Sequence, residues 1–425
     1  MHKGPWAPAL GLWQDGRVAS GLIIRGVRTM ASVVFYFQVH QPFRLRRYTI
    51  FDSDASYFDN WRNEEVFKKV ASKCYLPATK AVYDLIKKHD GKFRASYSLT
   101  GTVLEQLRLW APEVLELFVE LSKTGHVEFI AETYYHSLAF LYNRDEFVHQ
   151  TQIHLDRIEE LFGRRPSIFR NTELTYNNDV AKVVEEMGFN AILTEGADHV
   201  LGYRSPNFLY NPPNCPGLKM LLKNYRLSDD IAFRFSNRTW AEWPLNAEKF
   251  AKWVDNINGN GYVCNLFMDY ETFGEHQWAE TGIFDFLRAL PAAVLKSGKN
   301  DFLTLSQAVE KYPSVGEVDV PHMISWADTE RDLSAWLGNS MQANALHDVY
   351  ALADDVLATG DAALIDDWRK LQTSDHFYYM CTKWFADGDV HKYFNPYESP
   401  YDAYINYMNI LDNVRNRIAE TATRR

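Results

Sequence analysis

At 425 residues, of which 46% are hydrophobic, the chain is long enough for two domains or one large barrel with additions, and too apolar to be disordered. A net charge of −10 opposes non-specific nucleic-acid binding. No apolar run approaches the ~20 residues that span a bilayer, so neither nucleic acid nor membrane is an expected partner.

Residues 1–29 mix Gly, Pro, Arg and Trp, and their longest apolar patch is Leu22-Ile23-Ile24. That patch is too short for the core of a signal peptide, and the segment is expected to be a disordered tail or a start-site artefact ahead of Met30. Residues 33–37, VVFYF, then read as a buried strand. Pro42 stops it, since proline donates nothing to a sheet ladder. His40 and Gln41 are therefore held where strand becomes loop.

Strand-like and helix-like segments alternate from there to about Leu305. A strand at 93–98 follows a helix ending near Asp90-Gly91, and a short apolar run covers 127–131. Asn143 with Glu146 reads as a capping box opening a helix that closes at Gly163. Ile168-Phe169 leads into RNTEL, followed by a helix with Val180, Val183, Val184 and Met187 on one face. FNAILTE and GYVCNLFMD are later strands. This alternation implies an α/β parallel sheet, and its repetition suggests a barrel. Beyond about Lys311 the apolar spacing becomes helical to the C-terminus, giving an α/β unit over 30–310 and a helical domain over 311–425.

Cys74, Cys215, Cys264 and Cys381 lie far apart without metal-ligand spacing, which fits free thiols in a reducing, cytoplasmic compartment. Aromatic residues make up 15% of the chain; such rings stack on sugar faces, although most of them fill core.

Four predicted strands end in ionisable residues: His40-Gln41, Glu132 with His136, Glu173, and Asp269. One acid at a strand end is usually a cap or a surface group. Several acids and histidines at one rim of one sheet fit a pair of catalytic carboxylates, one protonating the leaving oxygen while the other attacks or activates water. The sequence lacks GxGxxG, GxxxxGK[ST] and GxSxG, which weakens dinucleotide, NTPase and serine-hydrolase readings. A second reading assigns His40, His136, His199 and His276 to zinc in a deacetylase-like enzyme, although no HExxH is present. A third is a non-catalytic glycan-binding protein, which has no need of carboxylates at separate strand ends.

The stretches FQVHQPFRL, GHVEFIAETYYHSL, FRNTEL, LFMDYETFGEH and ISWADTERDLSAWLGN resemble, in order, the five sequence regions of glycoside hydrolase family 57, with the nearest likeness to its two-domain α-amylase group. The C-terminal SDHFYYM and NPYESPYDAYINYMNIL are similar to that group as well. The resemblance implies an incomplete seven-stranded (β/α) barrel followed by a helical bundle, acting on α-glucans by a retaining mechanism with no cofactor or metal. It implies Glu173 as nucleophile and Asp269 as general acid/base. His40, Gln41, Glu132 and His136 would line the substrate-binding rim, with Trp326, Asp328 and Trp336 reaching it from the fifth region. A neutral His40 would both donate to and accept from sugar hydroxyls. Hydrolysis, 4-α-glucanotransfer and branching share this chemistry.

Overall fold

The computed structural model describes residues 30–383 and 395–424; the expected tail over 1–29 lies outside them. Ten strands occur among these residues: β1 (Ser32–Val39), β2 (Ala95–Leu99), β3 (Val127–Phe129), β4 (Ile168–Arg170), β5 (Ala191–Glu195), β6 (Leu209–Asn211), β7 (Lys219–Lys223), β8 (Val263–Asp269), β9 (Asp301–Phe302) and β10 (Ser314–Glu317). In one arc the parallel order is β3-β2-β1-β8, and in the other β4-β5-β7. A parallel bridge between Ala131 and Phe169 joins the arcs into a seven-stranded barrel.

Closure is incomplete between β7 and β8. There the antiparallel β6 wedges against β7, and the Asn207 carbonyl beside it accepts from the amides of Tyr262 (2.8 Å) and Val263 (3.1 Å). Asn265 spans the remaining gap: its carbonyl accepts from the Asn224 amide (2.9 Å) and its side chain donates to the Leu222 carbonyl (2.9 Å). Strand β10 continues outward from β6, and β9 pairs with the first residues of β1.

Every residue of β1 is buried, because helices cover its outer face and the barrel interior covers the other. The faces separate by alternation. Val33, Phe35 and Phe37 pack under the helices, whereas Val34 and Tyr36 join Ile130, Ile168, Leu193, Leu221 and Phe267 inside the barrel. Carrying that parity towards the strand ends brings Gln38, Glu132, Arg170, Glu195, Lys223 and Asp269 inward, above the apolar plug. All six belong to the end of a barrel strand or the residues just past it, so alternation alone gathers a polar layer at one mouth.

Local signals explain the helix ends. Asn143 accepts from the Glu146 amide (2.9 Å), and Gly163 takes the left-handed conformation, φ 74°, that closes the helix Arg144–Phe162. The reciprocal half of the expected capping box is replaced by a longer-range contact: the Glu146 carboxylate takes two bonds from Arg369 (2.9 and 3.2 Å). A charged fork stabilises that carboxylate more than one more backbone amide would. The helices Ser340–Ala351, Ala353–Thr359, Ala362–Lys370 and Pro400–Arg424 pack through Leu346, Val356, Trp368, Tyr407 and Leu411. Their cluster is continuous with Phe147, Phe169 and Val180 on the barrel side. No described helix is long and apolar enough to cross a membrane.

Candidate active site

Glu173 follows β4 in a single tight turn, Thr172–Leu174, and is held at φ 58°, with Leu174 at φ 51°. Left-handed conformations cost non-glycine residues of the order of 1–3 kcal/mol each, and persist where surrounding bonds over-determine them. Here the residues of RNTELT supply those bonds. Asn171 Nδ2 donates to the Thr175 carbonyl (3.1 Å) and hydroxyl (2.9 Å), while its Oδ1 accepts from the Thr172 amide (3.0 Å). The Thr172 hydroxyl meets that of Thr133 at 2.8 Å, fastening the turn to the neighbouring strand end. His136, Asp328 and Arg331 also have positive φ (52–53°), so backbone strain concentrates around this site.

Three donors converge on the Glu173 carboxylate. His136 Nε2 (3.2 Å) and Ser374 Oγ (3.1 Å) reach Oε1, and the Trp326 indole N–H (2.8 Å) reaches Oε2. Burial would raise its pKa, but the His136 hydrogen bond and charge, Arg170 and Trp326 outweigh burial and lower it to about 2. The other ring nitrogen of His136 bonds Glu132 (3.2 Å), a carboxylate with no exposed side-chain surface. Burial opposes the imidazolium charge, yet the two flanking carboxylates raise the His136 pKa to about 9.

Glu132 is itself held from below. The Tyr36 hydroxyl (2.7 Å) and Ser98 hydroxyl (2.9 Å) donate to Gln38 Oε1, which turns the Gln38 amide nitrogen towards Glu132 (3.0 and 3.2 Å). A chain of oriented polar groups thus runs from the barrel interior to Glu173. Burial works against the Glu132 charge, but His136 and Arg170 lower its pKa to about 2.

His40 stacks on His136, ring centroids 3.9 Å apart and planes 21° from parallel. Its Nε2 lies 2.9 Å from Asp375 Oδ2 and its Nδ1 lies 3.0 Å from Thr100 Oγ1. Burial and then the His136 charge lower the His40 pKa. An ionised carboxylate only accepts, so the neutral ring carries its proton on Nε2 and Nδ1 accepts from Thr100. Both nitrogens are therefore engaged by protein, and the ring has no spare hydrogen-bonding group for the sugar hydroxyls expected of it. Burial would raise the Asp375 pKa, but His40 outweighs it and holds this carboxyl well below the usual range.

Asp269 closes β8 beside Gln38, its register partner on β1. Burial, reinforced by the Glu173 charge, raises its pKa to about 6. Two residues on, Glu271 accepts a short bond from the Tyr75 hydroxyl, and burial with the Asp269 charge raises its pKa to about 8.

These groups line one cleft in two lobes sharing Glu173, Asp269, His276 and Trp326. The first holds ≈ 720 Å³ of empty space and adds His40, Gln41, His136, Glu271, Asp375 and Tyr379. The second holds ≈ 1210 Å³ and adds Tyr225, Phe233, Asp328 and Arg331. Gln41 lies at the wall of the first lobe, buried, with its Oε1 taking a bond from Arg44 (3.0 Å). Glu132 sits one layer below the cleft, behind His136. Trp336 is not brought to the cleft: it is 1% exposed and its ring packs on Tyr378 in the core. His199 lies on the short helix Asp198–Leu201, outside both lobes. Among the described residues, no group of three or more His, Cys, Asp or Glu side chains is placed to share a metal ion.

Reasoning from sequence passed over Ser374, Asp375, Glu271 and Arg170. Glu271 lies within YETF, two positions after Asp269, where alternation could have pointed to it. Ser374 and Asp375 open the SDHFYYM stretch, but no local alternation points them at the site, because they reach it through long-range backbone contacts. The Ser374 amide donates to the His136 carbonyl (2.9 Å), and Ser137 bridges Thr373.

The profile of glycosyl hydrolase family 57 matches residues 34–321. A protein of Methanocaldococcus jannaschii named "Putative alpha-amylase" is 44% identical over 393 residues, covering 89% of this chain and 83% of the relative. The solved structures of the 4-alpha-glucanotransferase of Thermococcus litoralis and a branching enzyme of Thermococcus kodakaraensis share the fold, with TM-scores of 0.68 and 0.64 at 15% identity. Each likeness covers 92% of this chain, which spans 60% of the transferase and 90% of the branching enzyme.

Proposed function

The chain belongs to glycosyl hydrolase family 57, and we propose that it cleaves α-1,4-glucans with retention of configuration, through a covalent glycosyl intermediate on Glu173. The observation that carries this reading is the opposite bias of two carboxyls facing one cleft. Glu173 is kept ionised by three donors, whereas Asp269 is pushed up to about 6 by burial and by Glu173 itself. A nucleophile must be charged and a general acid must hold a proton, and this pair is divided accordingly.

In the first step Glu173 attacks the anomeric carbon while Asp269 delivers its proton to the departing glycosidic oxygen. The C–O bond to the leaving chain breaks as the bond to Glu173 forms. Asp269, now ionised, next takes a proton from the incoming water, whose oxygen displaces Glu173. His136 stays cationic throughout and orients Glu173, and Glu132 balances the His136 charge. Asp375, at 24% side-chain exposure, offers a carboxylate to sugar hydroxyls in the first lobe.

The second lobe supports a second reading, 4-α-glucanotransfer or branching. Its half-exposed Phe233 and neighbouring Tyr225 offer rings on which an acceptor sugar could stack, in place of water. Maltoheptaose separates the outcomes. Shorter sugars with equivalent new reducing ends mark a hydrolase, and longer ones mark a transferase. An unchanged substrate overturns both readings in favour of a binding protein. Glu173→Ala tests the nucleophile: turnover is lost, and azide restores part of it as the β-glycosyl azide formed from the vacated face. Near-normal starch turnover, or an initial product of β configuration from the native protein, overturns the retaining assignment.

A further inference from the structure

The Trp326 side chain reaches Glu173 from the loop that runs between Ile324 and the helix Ser334–Leu337. Its position is set from both sides. Before it, Ile324 pairs with Tyr176 in an antiparallel bridge, and the Trp326 amide donates to the Glu173 carbonyl (3.1 Å). After it, the chain doubles back so that the Ser325 amide donates to the Arg331 carbonyl (3.1 Å), with Arg331 at φ 53°. The Arg331 guanidinium then returns beneath the loop. Nη1 donates a short bond to the Trp326 carbonyl and lies 3.5 Å from Glu195 Oε2, while Nη2 lies 3.4 Å from Asp229 Oδ2. Glu195 ends β5 and is fully buried, and both carboxylates are shared with Lys223 at the end of β7 (3.6 and 3.1 Å). Lys223 and Arg170 in turn face the Trp326 ring, at 5.3 and 5.0 Å from its centre.

We propose that Arg331 is a positioning residue for the nucleophile: it latches the Trp326 loop to Glu195 and Asp229 on the barrel and so holds the indole N–H on Glu173. The inference rests on the reading of Glu173 as nucleophile. Its physical basis is that an indole hydrogen bond needs a fixed ring, and a loop supplies one only when anchored on both sides of the tryptophan. A guanidinium suits this anchor because its planar fork serves two carboxylates and one carbonyl at once. The buried charges require it as well: among the described residues, Lys223 is the ion-pair partner left to Glu195 and Asp229 without Arg331.

The test compares Arg331→Ala, Trp326→Phe and their double variant in the full chain, by kcat and KM on maltoheptaose across pH. Each single change should lower kcat about 10–100-fold, the size of one lost hydrogen bond to a charged group, with KM little changed. Each should also move the acidic limb of kcat/KM to higher pH, because Glu173, still facing His136, Ser374, Arg170 and Asp269, loses one donor. The double variant should be no worse than the poorer single. Losses that multiply, or a limb that stays in place while only the melting temperature falls, overturn the latch. Should Arg331→Ala fail to fold, Arg331→Lys decides. It keeps the charge without the fork, so a wild-type limb and kcat there overturn the proposal, and an intermediate shift supports it. If Glu173→Ala is inactive and rescued by azide while the latch variants behave as wild type, the latch alone fails. If Glu173→Ala retains turnover, the underlying reaction fails.

Discussion

His40 and His136 stack at 3.9 Å and 21°, yet they hold different charge states. Two imidazoles in face contact cannot both be cationic without mutual repulsion, and the surrounding carboxylates decide which one is. His136 stands between Glu132 and Glu173, whereas His40 has one carboxylate, Asp375, and one hydroxyl, Thr100. The proton therefore resides on His136 and keeps Glu173 ionised.

This division can be read by titration. The His136 pKa is raised from 6.5 to about 9, so its contribution to stability is complete below 6.5 and is lost as pH rises through about 9. Denaturant midpoints of wild type and His136→Gln should differ most below 6.5 and converge above about 9. Ring resonances of His40 should titrate below 6.5, and those of His136 should not change until alkaline pH. A His136 ring that loses its proton near 6.5 would refute the assignment.

Asp269 shows the opposite linkage. Its pKa is raised from 3.8 to about 6, so the folded state binds this proton more tightly than the unfolded chain. The associated stability is present below 3.8 and is lost as pH rises through about 6. Asp269→Asn should accordingly melt higher than wild type above about pH 6 and gain little below 3.8, while its turnover of poor leaving groups falls steeply. In wild type, kcat/KM should decline as pH rises through about 6, and removing the neighbouring charge in Glu173→Gln should lower the Asp269 titration seen by carboxyl NMR. An unchanged titration would show that the two carboxyls do not sense each other.

The two tryptophans of the fifth region should separate cleanly. Trp326 bonds Glu173 at 2.8 Å, so Trp326→Phe should cost ~10–100-fold in kcat with a small change in melting temperature. Trp336 is buried against Tyr378, so Trp336→Ala should cost about 3–5 kcal/mol of stability. Measured below its melting temperature, that variant should keep its kcat. A kcat loss in a folded Trp336 variant would return this residue to the substrate path.

Much of this protein was legible in its sequence, because strand alternation and strand termination are local. VVFYFQVHQP carries the parity that sends Val34, Tyr36 and Gln38 inward, and the proline that leaves His40 at the rim. The same logic reaches Glu132, Glu173 and Asp269, each at or just past the end of an apolar strand. Tertiary structure alone decided what those residues are. Both His40 nitrogens are occupied because Asp375, 335 positions away, and Thr100, 60 positions away, fold against them. Trp326 and Trp336 read alike in ISWADTERDLSAWLGN, and only packing makes one a donor to Glu173 and the other core. The barrel stays open between β7 and β8 because β6 wedges there, which no periodicity announces. How far a carboxyl's pKa is displaced depends on distances to a few groups remote in the chain and on the water those groups exclude, so the displacement exists only once the chain has closed around it.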